Sequence, residues 1–128
     1  AIANGGTLMR PYLLDRVENV GGEEIRKFLP TAHGNLMTAE EAANLTELMR
    51  AVVTEGTASA VRTDAYTVAA KTGSAEFETG KETHAWFTGF APAEAPKIVV
   101  TVVVEEAGSG GREAAPIARQ LFDLYMSR

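Results

Sequence analysis

The stretch "IVVTVVV", Ile98 to Val104, is an unbroken run of β-branched side chains. Such side chains lose rotamer freedom in a helix and pack well on a pleated surface, so the run reads as a strand. It lacks polar alternation, the pattern expected of a strand covered on both faces. It is also far too short to cross a bilayer, which takes about 20 apolar residues. Two more strands are predicted upstream, over Tyr66 to Ala75 and Ala85 to Ala91, with the third spanning Lys97 to Glu105. The connections between them are short: "EFETGKET", with Gly80 at its tip, and the proline-bearing "APAEAPK". Short connections require antiparallel neighbours, so these strands form a three-strand meander.

The flanking sequence supplies cover for that sheet. "LMRPYLLDRVENV" and "EEIRKF" read as two short strands joined at Gly21-Gly22, with Pro11 marking an edge, and a loop with Pro30, His33 and Gly34 follows. Thr38 and Glu41 form a capping box. Ala42, Leu45, Leu48, Met49 and Val52 then recur at helical spacing, which predicts a helix over 39–55 with Gly56 as its left-handed stop. "AGSGGREA" reads as a flexible connection to a last helix, Glu113 to Met126, with Pro116 in its first turn. Ile117, Leu121, Phe122, Leu124 and Tyr125 give that helix an apolar stripe to set against the sheet. Trp86, Phe87 and Phe90 are expected as core aromatics on the two faces of the sheet. The fold class is therefore α+β: an antiparallel sheet with packed helices.

Composition removes several functions. At 128 residues the chain fits one domain, and its net charge of −5 with no basic run argues against a nucleic-acid partner. Without cysteine there is no disulfide, thiolate metal site or cysteine nucleophile. His33 and His84 stand apart, without the spacing of a metal site. The turn after Ile98–Val104 has Glu113 where a dinucleotide fingerprint needs its third glycine. No metal and no cofactor are expected.

One polar cluster remains, Lys71-Thr72-Gly73-Ser74, inside "TVAAKTGSAEF". Strand alternation sends Thr72, Ser74 and Glu76 one way and Lys71 and Gly73 the other. Two hydroxyls on one face can both donate to one carboxylate, Lys71 adds positive charge, and Gly73 lets a ligand approach the backbone closely. On an edge strand, the Ser74 N–H can also face a developing oxyanion. A lysine ending a strand beside small residues is a common event and the simpler reading of these four residues, and both readings stay open on them alone.

Five blocks flank that cluster in order: "AIANGGTLMRPYLL", "VVTEGTASA", "HAWFTGFAP", "IVVTVVVEEAGSGG" and "AAPIARQLFDLY". Together with "VAAKTGSAE" they resemble the C-terminal half of penicillin-binding protein transpeptidase domains, most nearly those of class B, high-molecular-mass enzymes. The K-T-G triplet is one signature of penicillin-binding proteins and serine β-lactamases.

The resemblance implies the serine β-lactamase/penicillin-binding transpeptidase fold and an acyl-transfer reaction. A serine takes up the D-Ala-D-Ala end of a peptidoglycan stem peptide, and a second stem peptide's amine resolves the acyl-enzyme. β-Lactams acylate the same serine. It further implies that Lys71 joins the proton-transfer network, that Thr72 and Ser74 hold the donor carboxylate, and that the Ser74 N–H is an oxyanion donor. Gly73 keeps the strand open, Glu76 lies at the rim, and Gly56-Thr57-Ala58 and "HAWF" serve as scaffold. The implied setting is the outer face of a bacterial cell membrane, with an N-terminal anchor.

The S-x-x-K and S-x-N signatures of such enzymes are absent; Ser59-x-x-Arg62 and Ser109-x-x-Arg112 come nearest. Residues 1–128 are therefore expected to be the C-terminal part of a transpeptidase domain that lacks its nucleophile, is inactive alone, and either self-associates or is partly disordered near its N-terminus. A β-lactamase or β-lactam sensor domain, or a non-catalytic binding or assembly module, is the alternative.

Overall fold

A computed structural model describes residues 1–128. Its centre is a three-stranded antiparallel sheet of β5 (Ala69–Ala75), β6 (His84–Ala91) and β7 (Ile98–Val104), in that order. The register is continuous: Thr72 lies opposite Phe87, Gly73 opposite Trp86, and Phe87 opposite Val102. The meander is the one expected, and β5 and β7 are its edges.

Helix α1 (Ala39–Thr54) packs along β5, and α2 (Ala115–Met126) packs on β7 and β6. The capping box is formed: the Thr38 hydroxyl accepts from the Glu41 N–H at 3.1 Å, and Glu41 accepts from the Thr38 N–H at 2.8 Å. The main core lies between the sheet and α2. Phe87, fully buried, meets Phe122 of α2 edge to face at 6.3 Å, with Val53, Val61, Val68, Ala70 and Val100 around them. A smaller cluster on the opposite face joins Ala69, Phe90 and Ala93 to Met49 of α1 and to Ile2.

Several expectations need correction. The predicted first strand is two: β1 (Thr7–Met9) and β2 (Arg16–Glu18), separated by an irregular stretch around Pro11, whose missing N–H breaks the ladder. Only β2 pairs with β3 (Glu24–Lys27) across the Gly21-Gly22 turn. The predicted loop at His33 and Gly34 is a strand, β4 (Ala32–Asn35), which pairs with β1. Gly56 is not a left-handed stop, since the helix closes on Glu55 at φ −130°. Glycine is required there by crowding instead, because a Cβ would come within 2.9 Å of the Val52 Cα and carbonyl oxygen.

The faces of the sheet also differ from expectation. Val100 is buried, but Val99 is 61% exposed and Val103 41%, so β7 is covered on one face only. Phe87 and Phe90 are core aromatics on opposite faces, as read, whereas Trp86 is 41% exposed. It shares the open face with Val99 and Val103.

Strand β5 begins three residues later than predicted (Ala69 against Tyr66) because Tyr66 turns toward α2. Its phenol donates to Asp123 Oδ1 at 2.6 Å, while Arg119 Nε donates to both Asp123 oxygens at 2.9 and 2.8 Å and Arg119 Nη1 to the Arg62 carbonyl at 2.7 Å. Burial, reinforced by the bond to Asp123 and its charge, pushes the Tyr66 pKa up to about 12 against the opposing pull of Arg119. The Tyr66 hydrogen bond, with help from Arg119, holds Asp123 below its usual range despite some desolvation.

The signs follow. Tyr66 binds its proton more tightly in the folded state, so its contribution is full below the unfolded tyrosine pKa of roughly 10 and is lost as pH rises toward about 12. Asp123 contributes above the unfolded aspartate range and loses that contribution below it, as pH falls through its lowered folded value. Tyr66→Phe is expected to flatten the alkaline fall in urea midpoint relative to wild type. Parallel alkaline profiles for the two proteins would remove this pair from the account.

Candidate active site

The first three residues of Lys71-Thr72-Gly73-Ser74 form the middle of edge strand β5, and Ser74 stands one residue before its end. Alternation places the residues as read. Thr72 and Ser74 share the face of their partners Phe87 and Ala85, while Lys71 and Gly73 share the open face with Thr88 and Trp86.

The four residues differ in access. Lys71 and Ser74 are exposed and Gly73 is half-buried, but Thr72 is only 8% exposed. The Lys71 ammonium folds back to donate to the Thr72 carbonyl. It takes part in none of the six ion pairs, so its charge is not neutralised by a carboxylate. Glu76, one residue past the strand, is exposed.

Two segments brace this strand from behind. Thr57, in the turn after α1, sets its hydroxyl 2.5 Å from that of Thr72. The glycine-rich segment read as a flexible connection is instead a wide π turn, Gly110–Ala114, which enters α2 at Ala115 rather than Glu113. Gly110 is buried against the carbonyls of Gly73 and Trp86, and a Cβ there would sit 2.5 Å from the Gly73 oxygen and closer still to that of Trp86. Gly111 lies equally close to the Thr57 carbonyl. The adjacent glycines were the available signal. Two positions without a Cβ in succession mark close backbone approach as readily as they mark flexibility.

At the far end of β5 the β5–β6 connection turns at Gly80, φ +83°. Phe77 stacks on His84 there at 4.1 Å, and the His84 Nδ1 accepts from the Glu106 N–H at 3.0 Å. His84 is thereby committed to structure. Ser59 begins a single 3-10 turn, and Ser109 precedes the π turn, so neither opens an α-helix with a lysine one turn on.

The α+β arrangement, antiparallel sheets with packed helices, is that of the serine penicillin-recognising fold. The chain belongs to the penicillin-binding protein transpeptidase domain family, whose model matches residues 1–123. It is 38% identical over 130 residues to the peptidoglycan D,D-transpeptidase PbpA of Mycolicibacterium smegmatis, covering 92% of this chain and 26% of that protein. With the peptidoglycan D,D-transpeptidase MrdA of Haemophilus influenzae it shares 33% identity, covering 99% of this chain and 22% of the relative.

Among solved structures, the imipenem acyl-enzyme of penicillin-binding protein A from M. tuberculosis superposes with a TM-score of 0.87 at 36% identity, over 98% of this chain and 28% of that one. The penicillin G acyl-enzyme of the same protein gives 0.83 at 35% identity, over 98% and 29%. The chain thus spans about a quarter of the length of the curated relatives.

Proposed function

We propose that this chain forms the Lys-Thr-Gly wall of the cleft in a peptidoglycan D,D-transpeptidase, and that the S-x-x-K and S-x-N residues belong to the rest of the same domain. The observation that carries the reading is the placement of Lys71 to Ser74 on a free sheet edge, with Lys71 unpaired and Ser74 exposed.

The chemistry then divides between the two parts. A serine outside residues 1–128 attacks the carbonyl of the penultimate D-Ala, its proton passes to the basic network, and the terminal D-Ala leaves as an amine. The amine of a neighbouring stem peptide attacks the resulting ester, forms the cross-link and frees the serine. Lys71 lowers the cost of negative charge at the reacting centre and takes part in proton transfer. Ser74 offers its hydroxyl to the substrate carboxylate and its N–H to the developing oxyanion, and Thr72 adds a second hydroxyl. Gly73 leaves room for the substrate backbone, and Glu76 stands at the rim. A β-lactam, carrying a carboxylate beside a strained carbonyl, satisfies the same contacts. The reading places the reaction outside the cytoplasmic membrane, where peptidoglycan lies.

The test is covalent. Incubated with fluorescent penicillin, the protein carrying this chain is expected to yield a labelled band that survives denaturation and disappears after pre-treatment with unlabelled penicillin. A protein that folds but takes no label would overturn the reading.

A further inference from the structure

From the hydroxyl pair on β5 we infer that Thr57 is a positioning residue for ligand recognition, acting through Thr72. The inference rests on the proposed role of Thr72 as a carboxylate donor, and the experiment below separates the two. Each threonine hydroxyl has one proton, and the two oxygens lie 2.5 Å apart, so one donates to the other. If Thr72 gives its proton to Thr57, nothing remains to offer a substrate carboxylate. Thr72 can donate outward only when Thr57 donates to it, so the direction of one proton in the pair decides whether the site has one hydroxyl donor or two.

Thr57 is held in place beside Thr72. A side chain on a loose loop would fix nothing, but this one is fastened on both sides. The Ala58 N–H donates to the Val52 carbonyl at 3.0 Å, tying the turn to the end of α1. Gly111 lies against the Thr57 carbonyl, where any Cβ would collide. Thr72 is fixed in turn by its strand and by burial to 8% exposure, so its hydroxyl has few other partners. An exposed turn after α1, 15 residues away in sequence, thereby holds a hydroxyl against a nearly buried side chain on the substrate strand.

The experiment uses the full-length protein carrying this chain and two probes, penicillin G and its methyl ester, which lacks the anionic carboxylate. Acylation rate constants are measured by intact mass for wild type, Thr57→Val, Thr57→Ala and Thr57→Ser. The two hydroxyl-deleting variants are expected to lose about tenfold or more with the acid, the scale of one hydrogen bond to a charged group, and little with the ester. Thr57→Ser is expected to restore the acid rate. In a Thr72→Val background, Thr57→Val is expected to cost nothing further, since the two act in series.

Equal losses with acid and ester, no loss with either, or additive losses in the double variant would each overturn the inference. A hydroxyl-deleting variant that fails to fold shows itself by a circular dichroism spectrum unlike wild type and is set aside, and its partner variant supplies the ratio. Failure of wild type to react with penicillin G would instead defeat the transpeptidase reading itself.

Discussion

Gly110→Ala is expected to destabilise the protein by about 3 kcal/mol or more, at the upper end of the cost of overpacking. The added methyl would meet the carbonyl oxygens of Trp86 and Gly73 rather than the far end of a flexible side chain. Neither strand can retreat easily. Gly73 and Trp86 face one another in register, and Trp86 also faces Val103 of β7. Relief must come from the π turn, which is held by the Arg112 and Glu113 N–H groups on the Ser109 carbonyl at 3.1 and 2.9 Å and leads directly into α2. Pushing that turn outward would pull Ala114, Ala118 and Phe122 from the main core. In urea, the midpoint is expected to fall by about 1–2 M for a domain of this size. Gly34→Ala is the control: nothing lies within 4 Å of a Cβ there, and its midpoint is expected to stay close to wild type. Similar midpoints for Gly110→Ala and Gly34→Ala would show that the turn yields without cost.

Lys71→Ala is expected to do the opposite, leaving the fold intact and removing function. The side chain is exposed on the open face of β5, and its one hydrogen bond runs to the neighbouring Thr72 carbonyl. Surface substitutions of this kind move stability by about 0.5 kcal/mol or less. In the proposed cleft the same ammonium is an uncompensated charge beside the reacting carbonyl. Its removal is expected to slow acylation by fluorescent penicillin about 10²–10³-fold, the range seen for lost electrostatic or proton-transfer groups. Lys71→Arg separates charge from proton transfer: it keeps the cation but cannot give up a proton. A Lys71→Ala protein that reacts at the wild-type rate would remove Lys71 from the chemistry.

The parts legible in the sequence were those written locally. The β-branched run of β7, the alternating and apolar stretches of β5 and β6, and the Thr38-x-x-Glu41 box each specify their element within a few residues. Pairing between distant segments was not legible. Strand β4 is Ala32-His33-Gly34-Asn35, poor strand residues that extend only because β1 offers a ladder some 28 positions away, as in the Thr7–Asn35 pair. The exposed face of β7 was hidden for the converse reason, since valine reports the ease of extension and not which neighbours arrive. At the candidate site, Lys71 to Ser74 stood out by residue type and alternation. What braces them did not: Thr57 meets Thr72 from another element, and Gly110 meets Gly73 from beyond two further strands. Those contacts exist only once the chain has folded, and they turn a segment that reads as a loose linker into a rigid support.

In the proposed assignment this chain is one wall of a penicillin-reactive cleft whose nucleophile lies on another part of the protein. The most direct test is to acylate the full-length protein with penicillin, digest it, and locate the adduct by mass spectrometry. The predicted result is a single modified serine on a peptide outside residues 1–128, with Ser59, Ser74, Ser109 and Ser127 unmodified. An adduct on any serine of this chain would instead place the nucleophile within residues 1–128.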